Sequence, residues 1–198
     1  NGFGVEENPK KSFLWFQKSA MAGHSDGMWF FGDCYRDGYG TEQDIEKAIQ
    51  WYEKSAEKEN CYGMLRLADL YDTGEFVEQN SELAAKWYRK AADAGNRDAM
   101  YYVAYNYEYG DGVEQNEAEA KKWYRKAADE GCTPAQRRIG DYYADEGKYK
   151  DAMRWYEKPA EQGDGASFNE IGLMYSNGNG VRQDANKAFG WFQRSAEE

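Results

Sequence analysis

One histidine, His24, and three cysteines, Cys34, Cys61 and Cys132, are the chain's whole stock of imidazoles and thiols. A lone imidazole supplies neither the paired ligands of a zinc site nor the partnered base that activates a nucleophile. Ser55-Ala56-Glu57-Lys58 has the Ser-x-x-Lys spacing of acyl-transfer enzymes, but the companion Lys-Thr-Gly and Ser-Asp-Asn segments are missing. Asp72-Thr73-Gly74 has the form of half an aspartic protease site, and one copy cannot build the carboxylate dyad. The glycine pairs Gly38/Gly40, Gly110/Gly112 and Gly178/Gly180 could cradle phosphate, yet none runs on into Gly-Lys-Ser/Thr. No acidic stretch, 141–151 included, has the ligand order of an EF-hand. These residues predict no enzyme, no metal site and no cofactor.

The elements that carry these residues explain them better. Trp15, Trp51, Trp87, Trp123, Trp155 and Trp191 recur at intervals of 36, 36, 36, 32 and 36 residues, each followed by Tyr or Phe. A fixed period of this length is the mark of a repeat array. Around each Trp lies one amphipathic helix, termed helix B. Ala84, Trp87, Tyr88 and Ala91 fall at i, i+3, i+4 and i+7, as do Ala120, Trp123, Tyr124 and Ala127. Seven residues before the Trp stands Asn8, Asp44, Asn80, Asn116 or Asp184, a side chain able to cap the first N–H groups. Pro9 suits the first helical position, and only the Trp155 copy lacks a cap. Ser55 occupies the slot of Ala91 and Ala127, a packing position.

Upstream of each cap runs a glycine loop: Gly2-Phe3-Gly4-Val5, Gly38-Tyr39-Gly40-Thr41, Gly110-Asp111-Gly112-Val113 and Gly178-Asn179-Gly180-Val181, with Gly74-Glu75-Phe76-Val77 as a degenerate copy. Before the loop sits a second amphipathic segment, helix A, seen in Gly63, Leu67 and Tyr71, in Ala99, Val103 and Tyr107, and in Ala135, Ile139 and Tyr143. The succession small-x-x-x-Leu-Gly-x-x-Tyr, Gly-x-Gly-Val, Lys-Ala-x-x-Trp-Tyr-x-Lys-Ala-Ala resembles the Sel1-like repeat, a relative of the tetratricopeptide repeat, over nearly the whole chain. The resemblance implies an all-α, right-handed superhelical solenoid of helix pairs and a role as a scaffold or adaptor in protein complexes. One domain over 1–198 is expected, with about five repeats beginning near 24, 60, 96, 132 and 164, preceded by an orphan helix at 9–22. One unit is four residues short, because Gly147-Lys148-Tyr149 replaces the longer loop. A tight turn over 141–152 and a local change of twist are expected there.

The cysteines never fall two to a repeat, and stacked helices would hold Cys34 and Cys61 most of a helix length apart, so free thiols are expected. Free thiols fit a reducing compartment or a cysteine-tolerant periplasm. No apolar run approaches the ~20 residues needed to cross a bilayer. Both ends look cut from a longer array, and uncovered Phe13, Trp15, Phe16 and Met21 at one end and Phe189, Trp191 and Phe192 at the other predict end-to-end self-association.

What remains is surface. In the related tetratricopeptide arrays a concave wall is lined by helix A. Projecting that frame onto this chain selects 25 positions, of which nine are acidic and two basic, against 36 acidic and 25 basic residues in all 198. The partner-binding residues so expected are Trp29, Asp33, Tyr62, Asp69, Asp98, Tyr101, Tyr105, Glu108, Tyr109, Arg137 and Asp141. Two readings of this wall stand: charges that merely solvate two faces and pair weakly between helices, or an acidic, aromatic trough that holds a protein or basic peptide by charge and cation–π contact. A formal net charge of −11 speaks against nucleic acid and anionic membrane as partners. The expected function is a non-catalytic interaction scaffold. The alternative is an inhibitor or immunity protein that blocks a basic enzyme.

Overall fold

The computed structural model describes residues 8–197, so the glycine loop read at Gly2 to Val5 lies outside the described residues. Every regular element among the described residues is an α-helix: α1 Pro9–Met21, α2 Ser25–Asp37, α3 Ile45–Glu57, α4 Cys61–Thr73, α5 Ser81–Asp93, α6 Arg97–Tyr109, α7 Glu117–Asp129, α8 Thr133–Asp145, α9 Tyr149–Ala160, α10 Gly165–Asn177 and α11 Ala185–Glu197. They fall into two compact units, α1 to α6 and α7 to α11, divided after Gln115. Within each unit consecutive helices pack on one another.

Helix length is fixed chemically at both ends. Asn8, Asp44, Asn80, Asn116 and Asp184 each accept a hydrogen bond from the backbone N–H three residues on, at 2.9–3.1 Å. Lys148 gives α9 no such cap. Gly38, Gly74, Gly110 and Gly178 stop their helices in the left-handed conformation, with φ between 64° and 75°. After the stop, Gln43, Gln79, Gln115 and Gln183 each donate a side-chain N–H to the carbonyl seven residues back, at 2.7–2.8 Å. The loop is thereby tied to the helix it leaves.

The second glycine of a pair answers to a neighbour. A Cβ on Gly40 would collide with the Pro9 carbonyl, and one on Gly112 with that of Ser81. In the second unit, a Cβ on Gly180 would lie 2.8 Å from backbone and side chain of Tyr149. Each of these glycines presses on the first turn of a helix B that begins 31 residues earlier. Phe76 stands at the corresponding place in the degenerate loop.

Burial follows the predicted stripes with one shift. The residue after the Trp lies deeper than the Trp itself: Tyr52, Tyr88, Tyr124 and Tyr156 are buried, while Trp15 is 68% exposed, Trp51 and Trp87 are half-buried, and only Trp123 and Trp155 of these five are buried. Ser55 is buried and donates its hydroxyl to the Ser25 carbonyl at 2.9 Å, as a packing residue would. His24 is an exposed helix-cap residue with no side-chain cap bond. Cys34, Cys61 and Cys132 form no disulfide, and burial beside Asp33 and Asp37 pushes Cys34 up to about 11.

Two expectations need correction. Helix α8 continues to Asp145 and α9 starts at Tyr149, so the reversal takes residues 146–148 rather than 141–152. Gly147 takes the left-handed conformation in the middle of that turn, at φ +72°. The terminal helices are also better covered than expected. Phe13 and Phe16 pack against the core of Ala20, Met28 and Phe31, and Trp191 packs against the core formed with Phe168. Phe192 lies over Gly172. Each of these four is held by a helix A within the same unit, and the exposed apolar residues that remain are Leu14, Trp15, Met21 and Phe189.

Candidate interaction surface

Helix A carries the face singled out in the sequence, and its carboxylates are tied into the core from below. In the first unit the buried Tyr52 hydroxyl donates to Asp33 at 2.7 Å. Arg66, one repeat along on α4, donates to the same carboxylate at 3.0 Å and reaches Asp69 at 3.6 Å. Tyr88 then donates to both Asp69 and Asp72 at 3.1 Å. Asp37 is held by Arg36 at 2.7 Å, and that hydrogen bond lowers its pKa. Asp69 shifts the other way, because burial outweighs its bonds to Tyr88 and Arg66.

The ring that donates is placed by a small residue. A Cβ on Gly32 would sit 2.5 Å from the Tyr52 ring, so glycine leaves the space the ring fills. Ala68 holds that position beneath Tyr88, whose hydroxyl is shared with Asp72 and whose ring stacks on Tyr102 at 4.6 Å. The second unit repeats the first arrangement: Tyr156 packs over Gly140 and donates to Asp141 at 2.9 Å, with Arg138 at 3.6 Å. In the last pair, Leu173 and Phe192 replace acid and phenol together.

The expected residues accordingly divide by role. Asp33, Asp69 and Asp141 are half-buried acceptors for core tyrosines, and Arg137 is bound to Asp164 at 3.1 Å. Trp29 stacks between Phe30 at 3.6 Å and Tyr62 at 5.5 Å, with the Arg66 guanidinium 5.4 Å from its ring and its buried Nε1 without a hydrogen-bond partner among the described residues. Tyr62, Asp98, Tyr105 and Tyr109 are exposed, Tyr101 and Glu108 half-buried, and Tyr105 and Tyr109 meet at 4.5 Å. The structure brings nine of the eleven onto the helices A of the first unit; Arg137 and Asp141 belong to the second.

One column was missed. Phe30, Arg66, Tyr102, Arg138 and Glu170 share a repeat position directly after the Trp29 column. Phe30 and Tyr102 are 38% and 37% exposed, and Arg66 links two carboxylates. The signal was present, because position 30 shares a helical stripe with 26, 33 and 37. Arg66 also means that the face is less acidic than the projected positions suggested. A polar recess of about 480 Å³ lies among Arg36, Arg66, Asp69, Asp72, Phe76 and Tyr102.

Among the described residues no group of His, Cys, Asp and Glu could hold a metal ion, and no helix is long and apolar enough to cross a membrane. Helix pairs capped, stopped and stacked in this way define a solenoid of the tetratricopeptide-like class. The Sel1 repeat family matches residues 1–24, 25–60, 61–96, 97–132, 133–164 and 169–198. The chain belongs to the Sel1 repeat family. It is similar to a solved protective antigen of uropathogenic Escherichia coli displaying an SLR fold, with 34% identity and a TM-score of 0.87 over 99% of this chain and 43% of that one. It therefore spans less than half the length of that relative. A Sel1 repeat protein from Oxalobacter formigenes matches at 30% identity and a TM-score of 0.88, over 98% of this chain and 81% of that one. An immunity protein from Pseudomonas aeruginosa, 20% identical with a TM-score of 0.62 over 97% of this chain and 75% of that one, shares the fold. A search of curated proteins found no match. Sel1 repeat proteins generally act as scaffolds for protein interactions and are typically non-catalytic.

Proposed function

We propose that the helix-A face of the first unit is an adaptor surface that holds a basic segment of a partner protein. The observation that carries this reading is a set of exposed phenol rings, Tyr62, Tyr102, Tyr105 and Tyr109, interleaved with Asp98, Asp69 and Asp72. Tyrosines at such spacing offer large contact area and cation–π faces, and the carboxylates steer a cationic chain toward them.

The test separates recognition from folding. Asp33 and Asp69 are bonded to core tyrosines, so their replacement alters stability as well as the surface; Tyr105 and Asp98 are exposed. With the partner captured by the full-length protein from its own source, Tyr105→Ala should cost about 2 kcal/mol of binding, measured by calorimetry. Asp98→Lys should weaken binding and flatten its salt dependence, since exposed charges are screened beyond ~8 Å at physiological ionic strength. Affinity unchanged in both variants would sink the reading. A partner enzyme whose activity stops on binding would mark the protein as an inhibitor rather than a scaffold, through the same face.

A further inference from the structure

The opposite side of the first unit carries a cavity of about 450 Å³, within the ~300–1,000 Å³ range of small-molecule sites. Its origin is legible in the repeat register. Between α1 and α2, Phe13 and Phe31 meet at 5.0 Å and close over Tyr35. One repeat on, the same two positions hold Ile49 and Leu67, and two repeats on they hold Ala85 and Val103, with Tyr107 in the place of Tyr35. The cavity lies where the larger side chains would be, lined by Ala85, Val103 and Tyr107 and walled by Trp87 and Val113.

Two features set it apart from a packing defect. Asn106 lines it, where the first repeat has buried Cys34 and the second Leu70. Asn106 is 5% exposed, so a polar side chain lines the cavity where the two preceding repeats are apolar. An amide at an otherwise apolar wall offers a ligand's polar atom both a donor and an acceptor. The charged lining is also one-sided: Lys86, Arg89 and Lys90 against the single carboxylate Glu82. Arg89 is drawn to Asp93, and Lys90 lies 4.1 Å from the Trp87 ring centre.

We propose that this cavity binds a small amphipathic anion. Its apolar body lies against Trp87, Val103 and Val113, its acid group is held by Lys86 and Lys90, and a polar atom on the buried body meets Asn106. None of these residues belongs to the helix-A face, so either proposal can fail without the other.

The probe is 10-hydroxydecanoate, titrated calorimetrically into the whole chain, with decylammonium as the cationic counterpart. One saturable site is expected for the acid, with decylammonium weaker by about tenfold or more. Ala85→Met and Ala85→Ile introduce side chains that this sequence already carries in the same register, at Met153 and Ile49. Both should raise the unfolding temperature by filling the void and weaken the acid by about tenfold or more. Asn106→Leu, which copies Leu70 of the preceding repeat, should weaken it severalfold with helicity unchanged. No saturable binding, equal binding of the ammonium, or affinity unmoved by these variants in a folded protein overturns the proposal.

Discussion

The α2/α3 pair and the α10/α11 pair pack an aromatic ring over a glycine in the same way, and differ in what the ring says to the surface. Over Gly32 lies Tyr52, whose hydroxyl is bound by Asp33; over Gly172 lies Phe192, with Leu173 where the acid would be. In these two pairs phenol and carboxylate are present together or absent together, whereas Tyr124 keeps the phenol with Tyr105 at the acid's repeat position. The acidity of helix A is thus partly a consequence of the core beneath it: a buried hydroxyl needs an acceptor, and the acceptor nearest the surface is a carboxylate. An excess of acid on this face therefore cannot be counted wholly toward a binding site.

The sharpest way to break the comparison is to push the ring out. Gly32→Val should cost about 3 kcal/mol, because Tyr52 is wholly buried and cannot move aside. Gly172→Val should cost less, since Phe192 is only half-buried; equal losses in denaturant unfolding would contradict this account. Next in size, Asp33→Leu alone should cost about 2 kcal/mol by leaving the Tyr52 hydroxyl without its acceptor and Arg66 with Asp69 alone. Adding Tyr52→Phe converts the pair to the α10/α11 form and should recover about 1 kcal/mol, read as the coupling in a double-mutant cycle. A cycle that closes additively would show the two residues to be independent.

The smallest effect concerns pH. Asp69 has its folded pKa raised by burial, so the folded state holds its proton more tightly than the unfolded chain does. Its ionisation therefore costs stability above the folded pKa, and that cost vanishes as pH falls toward 3.8, the ordinary carboxylate value. Asp69→Asn should stabilise slightly at pH 7, with an advantage that shrinks on acidification when melting temperatures are compared. An advantage that grows toward low pH would reverse the sign.

Much of the fold was legible because its signals are local. An Asn or Asp cap, a Gly stop and a stripe at i, i+3, i+4 and i+7 lie within one helix, and the boundaries of α3, α5 and α7 follow from them. Where the reading failed, the determinant lay in another helix. The span 141–152 read as a tight turn because Gly147-Lys148-Tyr149 replaces the longer loop, whereas α8 runs on to Asp145, its Gly140 packed under the Tyr156 ring of the next helix. Phe192 read as uncovered because its cover, Gly172, is an absence of side chain. At the surface, the sequence displays Asp33 and Asp69 as charges and is silent on the tyrosine beneath each and the arginine between them. Arg66 was overlooked because a frame borrowed from related arrays skips its column.

The glycines that rest on an earlier helix have a kinetic meaning. Gly40 and Gly112 touch a turn that begins 31 residues before them, and the hydrogen bonds from Asn60 to Ser25 and from Asn96 to Cys61 span 35. Closure entropy grows only with the logarithm of the segment closed, and here that segment has nearly constant length. Each pair is found by a search of the same modest size as the last, with no distant strand to wait for. A chain with one pair more or one fewer would face an unchanged search, so the number of repeats can be altered without slowing the step that adds each one.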